Sequence, residues 1–484
     1  MTSSMYNSIL HFNEFGVKKI EETIKEFIRE GKDIADLVLG LKEDLFELGR
    51  NILTEVLEDM DEYLRGCELR KRDWEIVRKD ETGVLTSFGT IRYSRTYFKP
   101  KKGGKRQHLV DEIVGIGPHD RVSADVVINA IDEAADSSYR KAGETAAYMD
   151  EITKQAVMNK VHSLEIIEPE IKIEKKKDIR ILYVEADEDH VALQEKGSKN
   201  KEDKYKRNNA MPKLIYVHEG IDYEKSTKKR KVLKNVQYFG GMYNNNEDLW
   251  LEVTEYIDKV YNVDSIETIY LSGDGAPWIR QGLNWIPKSR FVLDNYHLQK
   301  YIKVATAHLD DKSIRKELHD ALDWPCKKML RKVFKKILEL TGTETKAKAV
   351  KDARRYMINN WDGIEIKAEK GFEIIGCSAE GHVSHVFSDR LSSRPRGWSR
   401  IGVAKMSKLR IFKKNGGNVY DLVMAQKLKE TKTNKQHIQD ELIKKLRNSS
   451  SRYEGVWNSN LTAIDMGRKT GLYKELRGII GRCG

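Results

Sequence analysis

Cysteine is scarce in this chain, with four in 484 residues. Cys67, Cys326, Cys377 and Cys483 lie far apart, with no CxxC pair and no zinc-ligand spacing. That pattern excludes a disulfide framework and a cysteine-built zinc site, and it predicts free thiols in a reducing cytosol. Long uncharged apolar runs are also missing, as is the charged-then-apolar leader of an exported protein. Neither membrane insertion nor export is expected, so the predicted location is cytoplasmic.

What the chain has in abundance is charge. Lys and Arg total 87 against 75 Asp and Glu, a net +12, with a pI near 9.1. Such an excess favours a polyanionic partner, nucleic acid first. The length predicts two or three domains rather than one core.

From about residue 13 to 75 the period is helical. Val17, Ile20, Ile24, Phe27 and Ile28 recur at helical spacing, as do Leu41, Leu45, Leu48, Ile52, Val56 and Leu57. These helices read as scaffold, packed on each other or on a partner subunit. A β-hairpin follows, with Val84-Leu85 on one arm, Gly89 at the turn and Ile91 to Phe98 on the other. Arg92 and Arg95 alternate with Tyr93 and Tyr97 and run into a lysine-rich tail. A basic ribbon of this kind suits a phosphate backbone, or else is a small sheet with a solvated tail.

Residues 138–162 have helix-turn-helix proportions. The second helix would expose Thr153, Lys154, Gln155, Asn159 and Lys160 to bases or phosphates. The stretch up to Lys177 reads as a linker.

The most informative segment is Ile181-Leu-Tyr-Val-Glu-Ala-Asp187-Glu-Asp189-His-Val-Ala-Leu193. In a strand, Ile181, Tyr183, Glu185, Asp187 and Asp189 share one face. Carboxylates on a buried strand are costly unless a cation neutralises them, and a hard divalent metal does this economically. A strand end with solvated acids is the plainer reading. Strands are predicted at 214–217, 232–239, 266–271 and 290–293, with a helix over 246–263. Three meandering strands, a helix, a strand, a helix and a strand is the order of a ribonuclease H-like sheet, although other mixed sheets share it. Asp274, between two glycines, falls where the fourth strand ends. Asp294 follows the fifth strand as a helix cap, with His297 one turn in. Each also reads as an ordinary turn or cap. A basic helical stretch then interrupts the pattern, and Gly376 to Ser399 restores small and polar residues. That segment holds Glu380, His382, His385, Arg394 and Arg396. The two histidines lack further ligands at zinc spacing.

Asp187, Asp274 and Glu380 are a coherent set for two-metal phosphodiester chemistry, which needs acids that hold two Mg²⁺ about 3.5–4 Å apart. The motifs Tyr183 to Leu193, Leu271-Ser-Gly-Asp274-Gly-Ala-Pro-Trp278, Asp294-Asn-Tyr-His297 and Ala379-Glu380-Gly-His382-Val-Ser-His385 resemble DDE transposases of bacterial insertion sequences, in the Lre-two branch related to the Mutator group. The resemblance spans nearly the whole chain. It implies an α/β fold whose catalytic core is a ribonuclease H-like mixed sheet interrupted by a helical insertion. A mainly helical N-terminal DNA-binding region with the β-hairpin would precede that core. It implies Mg²⁺ as cofactor, with Mn²⁺ as substitute, and Asp187, Asp274 and Glu380 as catalytic metal ligands. Asp294 and His297 match the Mutator-type signature, while Asp189, His382 and His385 are accessory candidates. Arg92, Arg95, Lys154, Gln155, Lys160, Arg394 and Arg396 are candidates for DNA contact. The implied partners are the element's terminal repeats and target DNA, bound by a homodimer or higher oligomer associated with the bacterial nucleoid. The expected regions are 1–80 (helical), 81–120 (basic hairpin), 121–177 (helix-turn-helix and linker), 178–305 (first part of the core), 306–370 (helical insertion), 371–400 (second part of the core) and 401–484 (basic C-terminal helices). A stand-alone nuclease of the same fold, or a catalytically silent DNA-binding descendant, are the alternatives. No motif offers the covalent nucleophile of a tyrosine or serine recombinase.

Overall fold

The computed structural model describes residues 6–169, 171, 173–194, 209–394 and 397–432. Two compact units divide them. The first holds residues up to Ala134, Ser138–Val157 and the described chain from Val423; the second holds Ala135–Ser137 and Met158–Leu422.

In the first unit α1 (Val17–Glu30) stops at Gly31, whose φ of 62° is the left-handed conformation glycine adopts cheaply. Asp33 then caps α2 (Ile34–Gly66) by accepting the Ala35 N–H at 2.8 Å. The hairpin is present and longer than expected, with β1 (Trp74–Thr86) pairing antiparallel to β2 (Gly89–Pro100). Gly89, at φ 109°, makes the turn. The extra length was hidden because residues 75–79 are exposed, so their burial follows no two-residue period. The inner face of the hairpin, with Trp74, Val84, Ile91, Tyr93 and Phe98, packs on Leu57 and Leu64 of α2 and on Leu109 and Val110 of α3 (Leu109–Val114). Asp61, buried in α2, accepts Thr96 N–H at 2.8 Å and Thr96 Oγ1 at 2.6 Å, which ties the helix to β2.

Next come α4 (Ala124–Asp136), α5 (Tyr139–Thr145) and α6 (Lys154–Ser163). The close approach of α5 to the following turn depends on Gly143, where an added Cβ would lie 2.0 Å from the Ile152 carbonyl oxygen. Thr153, Lys154, Gln155, Asn159 and Lys160 are exposed. The units divide within α6, between Val157 and Met158, rather than in the stretch read as a linker.

The second unit is built on a five-stranded mixed sheet. Its strands are β3 (Ile181–Glu188), β4 (Lys213–His218), β5 (Gln237–Gly241), β6 (Thr268–Gly273) and β7 (Ser289–Leu293), in spatial order β7-β6-β3-β4-β5. β3, β4 and β5 form an antiparallel meander, while β6 and β7 run parallel to β3. The predicted element order is therefore present. One strand differs: residues 232–236 lie outside β5, because Leu233 bridges to Ile221 and Asn235 turns at φ 52°.

Alternation along β3 sends Leu182, Val184 and Ala186 into the main core, against Leu249, Trp250, Val253 and Ile257 of α7 (Asn246–Val260). That core continues without a break through α8 (Asn295–Thr306), α9 (Ser313–Asp323), α10 (Lys327–Glu339), α11 (Glu344–Asn359) and α12 (Trp361–Glu369). The helices between the fifth strand and Glu380 thus share one apolar core with the sheet. On the other face, Ile181 and Tyr183 meet Tyr270, Val292 and Ile366. The chain continues as the short α13 (Ala379–Val383) and a π-helical turn, Ser384–Ser388. α14 (Arg400–Lys414) packs on β5, so the second unit extends past residue 400, and α15 (Val419–Lys432) ends the described chain. Among the described residues no helix is long and apolar enough to cross a membrane.

Candidate active site

Because β3, β6 and β7 are parallel, their carboxyl ends share one edge of the sheet, where ligands collect in such folds. Asp187 is the penultimate residue of β3, Asp274 follows β6 and Asp294 follows β7.

Asp187 is half-buried, and its Oδ1 accepts the Glu188 N–H at 2.9 Å. Burial, then the charges of Glu380 and Asp274, push its carboxyl up to about 7, and His297 works in the opposite direction. Asp274 is held by a turn of its own: Oδ1 accepts Ala276 N–H at 2.8 Å, and its peptide oxygen accepts the Tyr356 hydroxyl at 2.6 Å. Gly275 at φ 87° permits that turn, since a Cβ there would strike the Asn360 side chain at 2.2 Å.

Asp294 caps α8 as expected, accepting Tyr296 N–H at 3.1 Å. Its second oxygen receives His297 Nδ1 at 3.0 Å. This hydrogen bond, aided by the charges of Asp294, Asp274 and Asp187, raises the imidazole pKa against the cost of burial. An imidazole whose protonated form these carboxylates favour thus stands among the acids. Glu380, the second residue of α13, is exposed and near enough for its charge to act on Asp187.

The fold therefore brings Asp187, Asp274, Glu380, Asp294 and His297 into one electrostatic neighbourhood. Among the described residues, however, no three Asp, Glu, His or Cys side chains are closed into a group that could hold a metal ion. The donor chemistry, all carboxylate oxygen, fits a hard divalent cation; the side-chain arrangement is open.

Three accessory candidates lie elsewhere. Asp189 was expected on the face of Asp187, but β3 ends at Glu188 and the alternation ends with it. Its buried carboxylate instead accepts Ser392 Oγ at 2.9 Å on both oxygens. His382 turns inward, stacking on Tyr216 at 4.2 Å between ring centroids. Burial lowers it to about 4, so it is neutral near pH 7, and its Nδ1 is hydrogen-bonded with the Tyr238 hydroxyl at 2.8 Å. His385 turns outward, 3.5 Å from Asp389, so the two histidines do not form a ligand pair.

Among the DNA-contact candidates, Arg92, Lys154, Gln155, Lys160 and Arg394 are exposed. Arg95 is not available in the same way: it is ion-paired with buried Asp111, which also accepts the Tyr93 hydroxyl at 2.7 Å. The alternation that should have displayed Arg95 and Tyr93 places them on the packed side. Arg396 lies outside the described residues.

Glu185 was assigned no role from the sequence, although alternation put it on the face of Asp187. It is 2 % exposed. It accepts the Tyr216 hydroxyl, His218 Nε2 at 3.1 Å, Ser378 N–H at 2.6 Å and Ser378 Oγ at 3.3 Å. Gly220 N–H donates to His218 Nδ1 at 3.2 Å, which fixes the tautomer that donates to Glu185. Burial alone would raise the Glu185 carboxyl, but His218, Tyr216 and the Ser378 N–H outweigh it and hold the pKa below the ordinary value. Since Ser378 caps α13 two residues before Glu380, Glu185 fixes the start of the helix that carries Glu380. No local signal could have found this, because Ser378 is 193 positions away.

These features define a mixed α/β protein with a strand-end carboxylate site. The chain belongs to UPF0236, described as an uncharacterised protein family, whose pattern matches residues 27–428. A UPF0236 protein of Caldanaerobacter subterraneus subsp. tengcongensis is 38% identical over 464 residues, covering 96% of this chain and 95% of the relative; its name joins eleven gene designations of one strain. A second, whose name joins four designations, is 37% identical over 474 residues and covers 97% of this chain and 96% of its own length.

Proposed function

We propose that this protein is a DDE-type DNA transposase, cleaving and joining phosphodiesters at the ends of a mobile element with Asp187, Asp274 and Glu380 as metal-holding residues. The observation that carries the reading is that Asp187 and Asp274 stand at neighbouring strand ends on the carboxyl edge of a five-stranded sheet, while Glu380 lies on a helix that packs on β3. An antiparallel meander followed by two parallel strands is the ribonuclease H-like arrangement, and it supports the same reading. The relative whose name joins eleven designations in one strain fits a gene that multiplies within a genome.

Asp187 sits on the rigid central strand, and Asp274 is fixed by Ala276 N–H and Tyr356. Glu380 comes from an exposed helix start anchored through Ser378 and Glu185. His297, bonded to Asp294, stands beside the acids, which favour its protonation. Mg²⁺ or Mn²⁺, when bound, supplies the charge that offsets negative charge developing on the phosphate. Arg92, Lys154, Gln155, Lys160, Arg394 and Arg396 are assigned to DNA, and a homodimer or higher oligomer is assigned to pairing two element ends.

The test is incubation of the purified protein and Mg²⁺ with DNA flanking its coding sequence. Cleavage at fixed positions, lost in Asp187→Asn, is the expected result. Binding without cleavage under Mg²⁺ and Mn²⁺ would overturn the catalytic reading.

A further inference from the structure

Helix α10 carries a charge pattern that no site described so far uses. Leu330, Val333, Phe334 and Ile337 are its buried positions. Opposite them, at helical spacing of three and four, stand Lys328, Arg331, Lys332 and Lys335, all exposed. Lys327 and Lys336 flank the stripe. Lys327 lies over the Trp361 ring at 5.6 Å, and Lys336 pairs with Glu317 at 2.7 Å. Lys335 is 3.9 Å from Glu339, but among the described residues no carboxylate pairs with Lys328, Arg331 or Lys332.

This arrangement costs the helix stability. Lys327 and Arg331, Lys328 and Lys332, Arg331 and Lys335, and Lys332 and Lys336 are like-charge pairs four residues apart, which repel. Lys327 and Lys328 also occupy the first turn, where the helix dipole disfavours cations. A polyanion relieves both costs.

The second observation is Trp324, just ahead of this helix and 82% exposed. Trp250, Trp361 and Trp398, also in the second unit, are buried, with their indole N–H groups bonded to Trp278, Glu365 and Leu391. The Trp324 indole has no hydrogen-bond partner among the described residues. An exposed aromatic three residues ahead of a helix that displays a row of cations fits the recognised recipe for unpaired nucleotides, with a base stacked and the backbone held by charge.

We infer that Trp324 and the outer face of α10 form a binding site for single-stranded DNA, with Lys328, Arg331, Lys332 and Lys335 on phosphates and Trp324 under a base. The site rests on the transposase reading for its ligand being DNA. A chain of contacts joins it to the acid edge: α10 packs on α11, and Tyr356 of α11 donates to the Asp274 carbonyl.

The experiment measures affinity of the full-length protein for single-stranded and duplex oligonucleotides across a salt series, for the parent, Lys328→Gln/Lys332→Gln/Lys335→Gln, Trp324→Ala and Trp324→Phe. All four positions are exposed, and unchanged thermal melting verifies folding. On single strands the triple variant should flatten the slope of log affinity against log salt by about 2, three phosphates at roughly 0.7 each. Trp324→Ala should weaken single-strand binding between about 5- and 150-fold with the slope unchanged, and Trp324→Phe should recover most of it. A parent that binds DNA while the triple variant keeps its slope overturns this site alone. Equal losses on duplex with no effect of Trp324→Ala overturn the single-strand assignment. A parent that binds no DNA overturns the site and the transposase reading together.

Discussion

Glu185 and Asp187 lie two residues apart on one face of one strand, and the fold treats them oppositely. Glu185 is enclosed by donors from β4 and from the start of α13, so burial does not prevent it from staying ionised. Asp187 is less buried, yet it has one backbone donor and two acidic neighbours, and its carboxyl is pushed up to about 7. The number of donors aimed at each carboxylate, more than its depth, decides its state. One acid is completed by the protein and serves architecture. The other is left incomplete, which is the condition for binding something from outside.

The largest effect should fall on the incomplete acids. Asp187→Asn, Asp274→Asn and Glu380→Gln should each lower Mg²⁺-dependent cleavage more than about 100-fold, the upper range for outer-shell partners of a metal, with DNA binding retained. Pairs of these changes should be no worse than either alone, because the residues act as one unit. Near-parent cleavage by Glu380→Gln would remove it from the set.

Metal binding separates the two acids without any DNA. Mg²⁺ at about 100 times its dissociation constant should stabilise the parent by about 2.7 kcal/mol, read as a rise in melting temperature reversed by chelator. Asp187→Asn should lose most of that rise, and an equal rise in the variant would place the ion elsewhere.

Substitution of Glu185 sharpens the contrast. Glu185→Ala strands the Ser378 N–H and His218 and should cost about 1–3 kcal/mol per stranded group, measured by denaturant unfolding. Glu185→Gln should fold better yet cleave about 10–100-fold more slowly, as outer-shell changes do, with a raised Mg²⁺ requirement. A Glu185→Gln enzyme with parental cleavage and Mg²⁺ dependence would show that Glu185 only holds the fold together.

The smallest effect belongs to α6. Neutralising Lys154 and Lys160 should flatten the salt dependence of duplex binding by about 2, at roughly 0.9 per phosphate contact, leaving metal-induced melting shifts intact. An unchanged slope would move duplex recognition off this helix.

Short-range periodicity was enough to read much of this from the chain. The two-residue period of 181–188 placed Glu185 and Asp187 on one face, and Gly89 marked the hairpin turn. Apolar spacing outlined the helices, and the order of elements anticipated the sheet. These features depend on neighbours a few positions away, so local sequence determines them. Tertiary structure alone decided which acids have partners. Glu185 is satisfied by Tyr216 and His218 through the register of β3 with β4, and by Ser378 from a distant helix. Asp189 leaves the face of Asp187 for Ser392, 203 positions away, because the strand stops one residue earlier. Arg95 is taken out of the basic ribbon by Asp111, and helices 313–369 share the apolar core of the sheet. Each of these outcomes depends on which side chains arrive at the same place, and a desolvated charge is strongly affected by whatever arrives there.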